Sequence, residues 1–435
     1  MLIPSCLGGD DQTDLTNYKD AQIASLSLSH DSVKVLASAK FTIDQVNGLI
    51  YNMDSLPYGT TFDKVICKIT YASGVRGTLV IPEATGDSLW WNGTDSLDFS
   101  KPVRFTLTAY DGFTTKTYIA RVNIHQIKSD SMVWTRYASP LTGMSADEQR
   151  VILHTYKEKA AYLMYQKASG KTSLFYSPVA DAAKWTELSL TGFPDGADIS
   201  QITISDETVY VSAGGRLYNS IDGLTWVEVA GAPVVKALLG TLRVERDREA
   251  LLSAIIETSG VLTFAAMDVK GEWTNGDAVP ANFPVSGFGS VNYSRMNHEY
   301  LMLAAGKDKN GGLLNTIWAT MNAANWTVLT NPGSDSFGKK EGVVITQYDD
   351  MFYLTGGINA DGKASKEVFT SKDNGITWLQ ADSLITFPEN FAARGYASIQ
   401  VDEATNYMLL FGGKTSKSTK HLDELWRGRI NRLAK

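Results

Sequence analysis

Two stretches of the sequence are near-copies of one tight turn. Residues 371–378 read S-K-D-N-G-I-T-W, and residues 220–226 read the shorter S-I-D-G-L-T-W. Asp and Asn side chains bond nearby backbone N–H groups, and Gly adopts positive φ without strain, so both stretches favour turns. Burial of the Trp that follows contributes on the order of 2–3 kcal/mol. A turn that recurs within one chain indicates a repeat architecture.

The longer stretch fits S-x-D-x-G-x-T-W at every fixed position and resembles the Asp-box, or BNR, repeat of sialidase-like β-propellers. The resemblance implies that the turn joins the third and fourth strands of a blade, on the face away from the usual ligand pocket. It also implies a structural role for the residues of both copies, namely Ser220, Asp222, Gly223, Thr225, Trp226, Ser371, Asp373, Gly375, Thr377 and Trp378.

Tryptophans and pairs of small residues recur along the second part of the chain. The tryptophans stand 41 to 53 residues apart, a spacing typical of propeller blades, at Trp185, Trp226, Trp273, Trp326 and Trp378. Small pairs follow the predicted second strands at Gly214–Gly215, Ala305–Gly306, Gly356–Gly357 and Gly412–Gly413, and a double Gly before a later Trp also resembles kelch repeats. Residues 234–267 read partly as helix, and only the repeat register assigns them to blade three.

The ends of the repeat region predict how a ring would close. The last repeat stops at a third strand, residues 425–431, while an unpaired strand-like segment surrounds Trp134. If that segment supplies the missing fourth strand, no open sheet edge remains. We therefore predict a six-bladed β-propeller over residues 133–435, closed by strand sharing between its start and its end.

The preceding residues 21–127 predict an immunoglobulin-like β-sandwich, so the whole chain is all-β. Apolar and polar residues alternate in short runs, and Asp111–Gly112 stands at the tip of the clearest hairpin. Cys67 alternates with apolar residues, which indicates a buried core thiol. Residues 128–132 form a polar linker. Residues 50–59 and the last hairpin resemble the module that precedes the propeller in uncharacterised cell-envelope lipoproteins of Bacteroidetes.

The predicted flexible tail, residues 1–20, contains I-P-S-C at positions 3–6, which resembles the end of a bacterial lipoprotein signal. The resemblance implies lipidation of Cys6 and anchoring at the outer membrane or cell surface. Only five residues precede Cys6, so the charged and apolar parts of a signal would lie upstream of this sequence. The alternative is a polar tail with a chance cysteine.

Composition narrows the classes of partner. A net charge of −7 and a pI near 5.4 argue against nucleic acid and against a basic membrane-binding face. No apolar run approaches the ~18 residues of a membrane-spanning helix. Because the His and Cys residues show no metal-ligand spacing, we expect no metal and no cofactor. We expect a monomer whose partner is a glycan or an envelope protein, with membrane contact only through the lipid.

Propellers bind ligands where loops enter the first strand of each blade. The residues predicted to bind ligand there are Arg150, Lys236, Phe288, Glu341 and Arg394, although solvated loop charge would explain any one of them. We predict a non-catalytic binding or scaffold protein. The alternative is a sialidase-like or other glycoside hydrolase, for which the resemblance implies three arginines, a Tyr–Glu pair and an Asp acid. Arg150 and Arg394 would supply two arginines, no third is apparent, and no catalytic residue is assigned.

Overall fold

The computed structural model describes residues 19–72, 74–244, 249–296, 298–329 and 337–432, and the chain divides between Ser129 and Asp130 into two compact units. Cys6 and nearly all of the predicted tail lie outside the described residues. The second unit begins at Asp130, inside the predicted linker, because the N–H of Asp130 already donates to the carbonyl of Asn431 at 2.9 Å.

The described residues of the first unit form two sheets and one short helix, α1 (Val35–Ser38). Its strands are β1 (Ile23–Ser29), β2 (Phe41–Asp44), β3 (Leu49–Asn52), β4 (Val65–Tyr71), β5 (Val75–Pro82), β6 (Leu89–Trp90), β7 (Ser96–Leu97), β8 (Val103–Ala109) and β9 (Thr115–Arg121). One sheet has the order β1-β4-β7 and the other β2-β3-β9-β8-β5-β6. All pairs are antiparallel except β3 with β9.

A single core lies between these two sheets, as expected for a sandwich. Leu28 and Cys67 come from the smaller sheet, Phe105 and Tyr118 from the larger one, and all four are fully buried. The alternation of apolar and polar residues turns one face of the longer strands, such as β4 and β8, towards this core. Cys67 is fully buried, as predicted, and this burial raises the pKa of its thiol to about 12.

The second unit is a ring of six four-stranded antiparallel sheets, which confirms the predicted propeller. It opens with β10 (Met132–Arg136). Blade one contains β11 (Glu148–Tyr156), β12 (Lys159–Ala168), β13 (Lys171–Pro178) and β14 (Thr186–Leu188), and blade two contains β15 (Thr203–Ser205), β16 (Thr208–Ala213), β17 (Arg216–Ser220) and β18 (Val227–Glu228). Blade three contains β19 (Val234–Arg243), β20 (Ala250–Thr258), β21 (Val261–Met267) and β22 (Trp273–Ala278), and blade four contains β23 (Gly289–Arg295), β24 (His298–Lys307), β25 (Leu313–Thr320) and β26 (Thr327–Val328). Blade five contains β27 (Glu341–Tyr348), β28 (Met351–Ile358), β29 (Val368–Ser371) and β30 (Leu379–Gln380), and blade six contains β31 (Ser398–Asp402), β32 (Tyr407–Phe411) and β33 (Leu425–Ile430).

Apolar cores between neighbouring blades hold the ring together. Each of six buried clusters combines side chains of two successive blades, and one of them joins blade six to blade one through Phe411 and Tyr162. Residues 234–267 form three of the four strands of blade three, so the repeat register was the better guide than their helix-like composition. The larger connections include 3₁₀ helices at Val179–Asp181 and Ile199–Gln201.

The ring closes as predicted, because β10 pairs antiparallel with β33 and becomes the outer strand of blade six. Trp134 lies directly opposite Gly428 in this pairing. A Cβ atom at Gly428 would come within 2.6 Å of the Trp134 ring, so glycine makes room for the indole. Phe387 contacts the same indole, with ring centroids 4.7 Å apart.

Both predicted Asp-boxes form the turn between the third and fourth strands of a blade. In blade two, Asp222 Oδ1 accepts from the backbone N–H groups of Leu224 and Thr225 at 2.8 and 2.7 Å, and from the Ser220 hydroxyl at 2.9 Å. The indole N–H of the buried Trp226 donates to the carbonyl of Gly223 at 3.3 Å. The acidic residue therefore organises the backbone of the turn.

The Asp-box of blade five repeats this geometry. Asp373 Oδ1 accepts from the Thr377 N–H and the Ser371 hydroxyl, both at 2.8 Å. The buried Trp378 donates its indole N–H to the Gly375 carbonyl at 3.0 Å. In an antiparallel blade the turn from third to fourth strand lies at the opposite end from the start of the first strand, so this turn is far from the entry loops.

A third such turn in blade four was missed by the sequence analysis. Residues 320–326 read T-M-N-A-A-N-W, with Asn322 in the place of the aspartate. Asn322 Oδ1 accepts from the N–H groups of Ala324 and Asn325 at 3.2 and 2.8 Å. Ala323 takes positive φ (65°), and the hydroxyl of Ser253 from blade three donates to its carbonyl at 2.5 Å. Amide oxygens thus replace the carboxylate without changing the turn.

Candidate functional site

A cavity of about 770 Å³ runs along the axis of the ring, and all six blades contribute to it. Its wall is formed by the innermost strand of each blade, represented by Val151, Ile204, Thr241, Ser290, Thr346 and Gln400. The first strands of a propeller converge on the axis, so a cavity here follows from the fold. Its volume lies in the range of ordinary ligand pockets.

Charged side chains concentrate at one end of this cavity, which we call the mouth. The innermost strands begin at this end and the second strands finish there, so residues from both reach it. The charged residues that line it are Asp147, Glu148, Arg150, Lys167, Asp198, Lys307, Glu341, Lys414 and Lys417. The other end, where the innermost strands finish, is lined by uncharged side chains such as Thr241, Asn292 and Gln400.

Glu341 is the most buried of the mouth carboxylates, with a side chain only 4% exposed. Its Oε2 accepts from the Lys307 ammonium and the Tyr396 hydroxyl, and its Oε1 lies 3.6 Å from Lys417 Nζ. Burial acts to raise the pKa of Glu341, but the bonds from Lys307 and Tyr396 outweigh it and lower the pKa below its usual value. The carboxylate is therefore held charged.

Tyr396 reaches Glu341 from an unusual backbone conformation. The Gly342 N–H donates to the Gly287 carbonyl at 2.6 Å, and the Tyr396 N–H donates to the Gly342 carbonyl at 2.7 Å, so these residues hold equivalent positions in blades four, five and six. All three have positive φ, at 62°, 68° and 58°. Tyrosine is strained in this region, which glycine enters freely.

The space for the Tyr396 ring is provided by Gly342. A Cβ atom at Gly342 would come within 2.5 Å of that ring. Burial and the bond to Glu341 raise the pKa of the Tyr396 hydroxyl, so it stays a protonated donor.

His421 adds a neutral imidazole to the mouth. Its Nδ1 accepts from the Gly413 N–H at 3.2 Å, which assigns the ring proton to Nε2. Burial and the charge of Lys414 lower the pKa of His421 to about 3. At neutral pH the imidazole is uncharged and offers one N–H donor.

The described residues contain neither a candidate metal-binding cluster nor a candidate membrane-spanning helix. No group of three or more His, Cys, Asp or Glu side chains among them is placed to hold a metal ion. A search of the same residues for a helix long and apolar enough to cross a membrane found none.

Comparison with known families covers both units of the chain. Residues 128–434 match the DUF6242 beta propeller domain, and residues 12–122 match the N-terminal domain of DUF6242, a domain of unknown function. The chain belongs to the DUF6242 family. A comparison with curated proteins found no match. A solved structure titled "Structure of YjhT" is similar to the chain with a TM-score of 0.48 and 14% sequence identity, covering 66% of this chain and 97% of that one.

Three of the five residues predicted to bind ligand line the cavity of this DUF6242 propeller. They are Arg150, Phe288 and Glu341, contributed by blades one, four and five. Lys236 does not line it. Its ammonium instead pairs with Glu257 on the neighbouring strand at 2.6 Å.

Arg394 does not line the cavity either, because its guanidinium is buried and bonds to groups of the protein. It donates to the carbonyls of Ala392 and Gly412 at 3.0 and 2.9 Å and to Glu424 at 2.8 Å, and it lies over the Phe391 ring. Its side chain is 2% exposed. This arginine ties the entry of blade six to the second and third strands of the same blade.

Several mouth residues of the DUF6242 propeller were not predicted to bind ligand. Lys307 and Lys414 each directly follow a small-residue pair, and both members of these pairs have positive φ. The residue after such a pair marks the mouth in blades four and six but not in blade two, where Arg216 follows Gly214–Gly215 and lies outside the cavity. Tyr396 could have been found from its spacing, since Gly287, Gly342 and Tyr396 recur about one blade apart. Lys417 and His421 lie in a loop of blade six and carry no such signal.

Proposed function

We propose that this protein is a non-catalytic binding protein that takes a glycan at the mouth of its propeller. The observation that carries the proposal is a single cavity of about 770 Å³ in which charged side chains from several blades converge. A cavity of this size suits a short saccharide. The mixture of ammonium, carboxylate and imidazole groups provides donors and acceptors for hydroxyl groups.

Half-buried aromatic side chains strengthen this proposal. Phe288 and Tyr396 both line the cavity, from blades four and six. An aromatic face can cover the apolar face of a sugar ring while the hydroxyl groups bond to the polar groups around it. The Tyr396 backbone also has a positive φ that is strained for tyrosine but not for the equivalent glycines, and such strain tends to persist at functional positions.

A glycoside hydrolase is the second candidate, and the hydrogen-bonded pair Tyr396–Glu341 is the observation that favours it. The pKa shifts oppose it. A general base works best with a pKa near the working pH, whereas Lys307 and Tyr396 lower the pKa of Glu341. A tyrosine nucleophile needs a lowered pKa, whereas that of Tyr396 is raised. Among the described residues, Arg150 is also the only arginine that lines the cavity.

Display of this binding unit at the cell surface, through a lipid on Cys6, is part of the same proposal. Its support is the I-P-S-C sequence at residues 3–6. An envelope protein is the alternative partner, and the monomeric state stays a prediction.

The full chain should be tested on a broad glycan array, beside fluorogenic sialosides and hexosides. We expect glycan binding without turnover. Lys417→Glu places a second carboxylate beside Glu341 and should weaken binding, whereas Lys184→Glu should not, because Lys184 is 83% exposed and pairs with Asp181 away from the cavity. Turnover that is lost in Glu341→Gln would replace the binding proposal with the hydrolase. If no glycan is bound or hydrolysed in any of these assays, the glycan proposal is wrong and a protein partner is favoured instead.

A further inference from the structure

Arg150 differs from the other cationic residues of the mouth because one nitrogen of its guanidinium, Nε, is buried without a partner among the described residues. Lys307 and Lys417 pair with Glu341, and Lys167 pairs with Glu148. Lys414 forms no ion pair with a described residue, but its ammonium is not buried without a partner. Within the described part of the chain, the Arg150 side chain has no hydrogen bond and no carboxylate within 4.0 Å, and its Nε is shielded from solvent. The two Nη groups are also unpaired but reach solvent, since only Nε is both buried and without a partner.

Arg394 is a structural arginine of the same propeller and provides a comparison for Arg150. Each of its three nitrogens donates to a protein oxygen. A guanidinium nitrogen that is withdrawn from water without such a partner destabilises the folded protein, and an arginine stays charged in proteins. Burial accordingly lowers the pKa of Arg150, although the charge of Asp198 partly opposes it. Arg150 therefore keeps an unfavourable position that no contact within the protein explains.

Asp198 does not satisfy this arginine. Its Oδ1 already accepts from the N–H and the hydroxyl of Ser200, at 3.1 and 2.5 Å, where it caps the 3₁₀ helix Ile199–Gln201. Asp198 acts on Arg150 only through its charge, without an ion pair. The Nη groups of Arg150 therefore remain without a protein acceptor among the described residues.

The charges around the cavity indicate the kind of ligand group. Five cationic side chains line it (Arg150, Lys167, Lys307, Lys414, Lys417) against four carboxylates (Asp147, Glu148, Asp198, Glu341), while His421 is neutral. One positive charge remains, which a monoanion would neutralise and a dianion would exceed. A carboxylate also matches the planar fork of arginine through two parallel hydrogen bonds.

We propose that Arg150 determines specificity by binding the carboxylate of an acidic sugar in the propeller cavity. This inference rests on the proposed glycan-binding function and narrows it to carboxylated saccharides. Hexuronates and sialosides both carry such a group, and the experiment separates them.

The test measures binding of the full chain to an aldotriouronic acid, a trisaccharide with one hexuronate, and to sialyllactose, each beside its methyl ester, by isothermal titration calorimetry. We expect one of the two acids to bind at least tenfold more tightly than its ester. Arg150→Gln should weaken binding of that acid about 10- to 100-fold and leave the ester unchanged, because it removes a charge-assisted bond. Arg150→Lys should lie between the two, since it keeps the charge and loses the fork.

Arg216→Gln is the matched control, because Arg216 is 66% exposed, pairs with Glu228 and lies outside the cavity. Circular dichroism and thermal unfolding of each variant would confirm that it is folded. Equal binding of acid and ester by the unaltered protein would overturn the role of Arg150 and leave the glycan proposal standing. A parallel loss of both ligands in Arg150→Gln, or binding of sulfated sugars alone, would also overturn it. If no saccharide binds, both proposals fall.

Discussion

Because the backbone at Tyr396 is left-handed, we predict that glycine at this position gives a more stable protein than alanine, which is the reverse of the usual order. At ordinary positions alanine is more stabilising than glycine, because it restricts the unfolded chain, by about 0.4–1 kcal/mol. At φ 58° an L-residue instead costs about 1–2 kcal/mol that glycine does not. The difference predicts that Tyr396→Gly is more stable than Tyr396→Ala by about 0.5–1 kcal/mol. Both variants lose the same phenol, so its contacts cancel in the comparison.

Urea unfolding followed by tryptophan fluorescence would measure this difference, since eight of the ten tryptophans lie in the propeller. Ala397→Gly is the control, because Ala397 is buried next to Tyr396 and does not have positive φ. There the glycine variant should be the less stable one. If the alanine variant at position 396 were as stable as the glycine variant, the strain argument and its link to function would be refuted.

Three further predictions concern the turns and the tail. Trp378→Ala should lower the free energy of unfolding by about 3–5 kcal/mol, measured in urea, because Trp378 is 3% exposed in the core between blades four and five. Asp222→Asn should cost about 1 kcal/mol at pH 7 and less towards pH 3, measured at both pH values. Partial burial acts to raise the pKa of Asp222, but hydrogen bonds from Thr225, Leu224 and Ser220 lower that pKa below its value in the unfolded chain. The stabilisation that the Asp222 carboxylate provides is therefore present above about pH 4 and is lost as the pH falls through the folded pKa. Cys6→Ser should abolish incorporation of an alkyne fatty acid in the native host.

Each of these predictions has a result that would contradict it. Leu379→Ala, next to Trp378 but 67% exposed, should change stability by less than about 0.5 kcal/mol, and an equal loss in both variants would contradict the burial argument. For Asp222→Asn the contradicting result is the same loss at pH 3 and pH 7. For Cys6→Ser it is labelling that persists.

The fold was predictable because its signals are local and repeat. Trp226 and Trp378 each complete a turn whose donors and acceptors lie within a few residues, so the sequence pattern contains the whole interaction. The turn at Asn322 escaped notice because an amide and a strained alanine replace the usual Asp and Gly. Its hydrogen bonds are nevertheless local ones.

The site was less predictable because side-chain direction depends on irregularities of the strands. Arg150 and Lys236 both belong to innermost strands, yet only Arg150 lines the cavity. The register of β19 shifts between Val235 and Ala237, which leaves Lys236 as the extra residue of a bulge and turns it towards Glu257. Such a shift depends on the pairing with β20, and no residue pattern within β19 marks it.

Sequence alone predicted the repeat, a ring of six blades, the closing strand and the position of Glu341 at the entry to a first strand, because each follows from periodicity and turn chemistry. Tertiary structure decided which charges meet. Glu341, Lys307 and Tyr396 come from three different blades and are separated by long stretches of chain, so their contact depends on the radius and register of the closed ring. It likewise left Arg150 unpaired and enclosed Arg394 with Glu424, although the two arginines look alike in the sequence. Pairing across blades depends on distances that no local pattern contains.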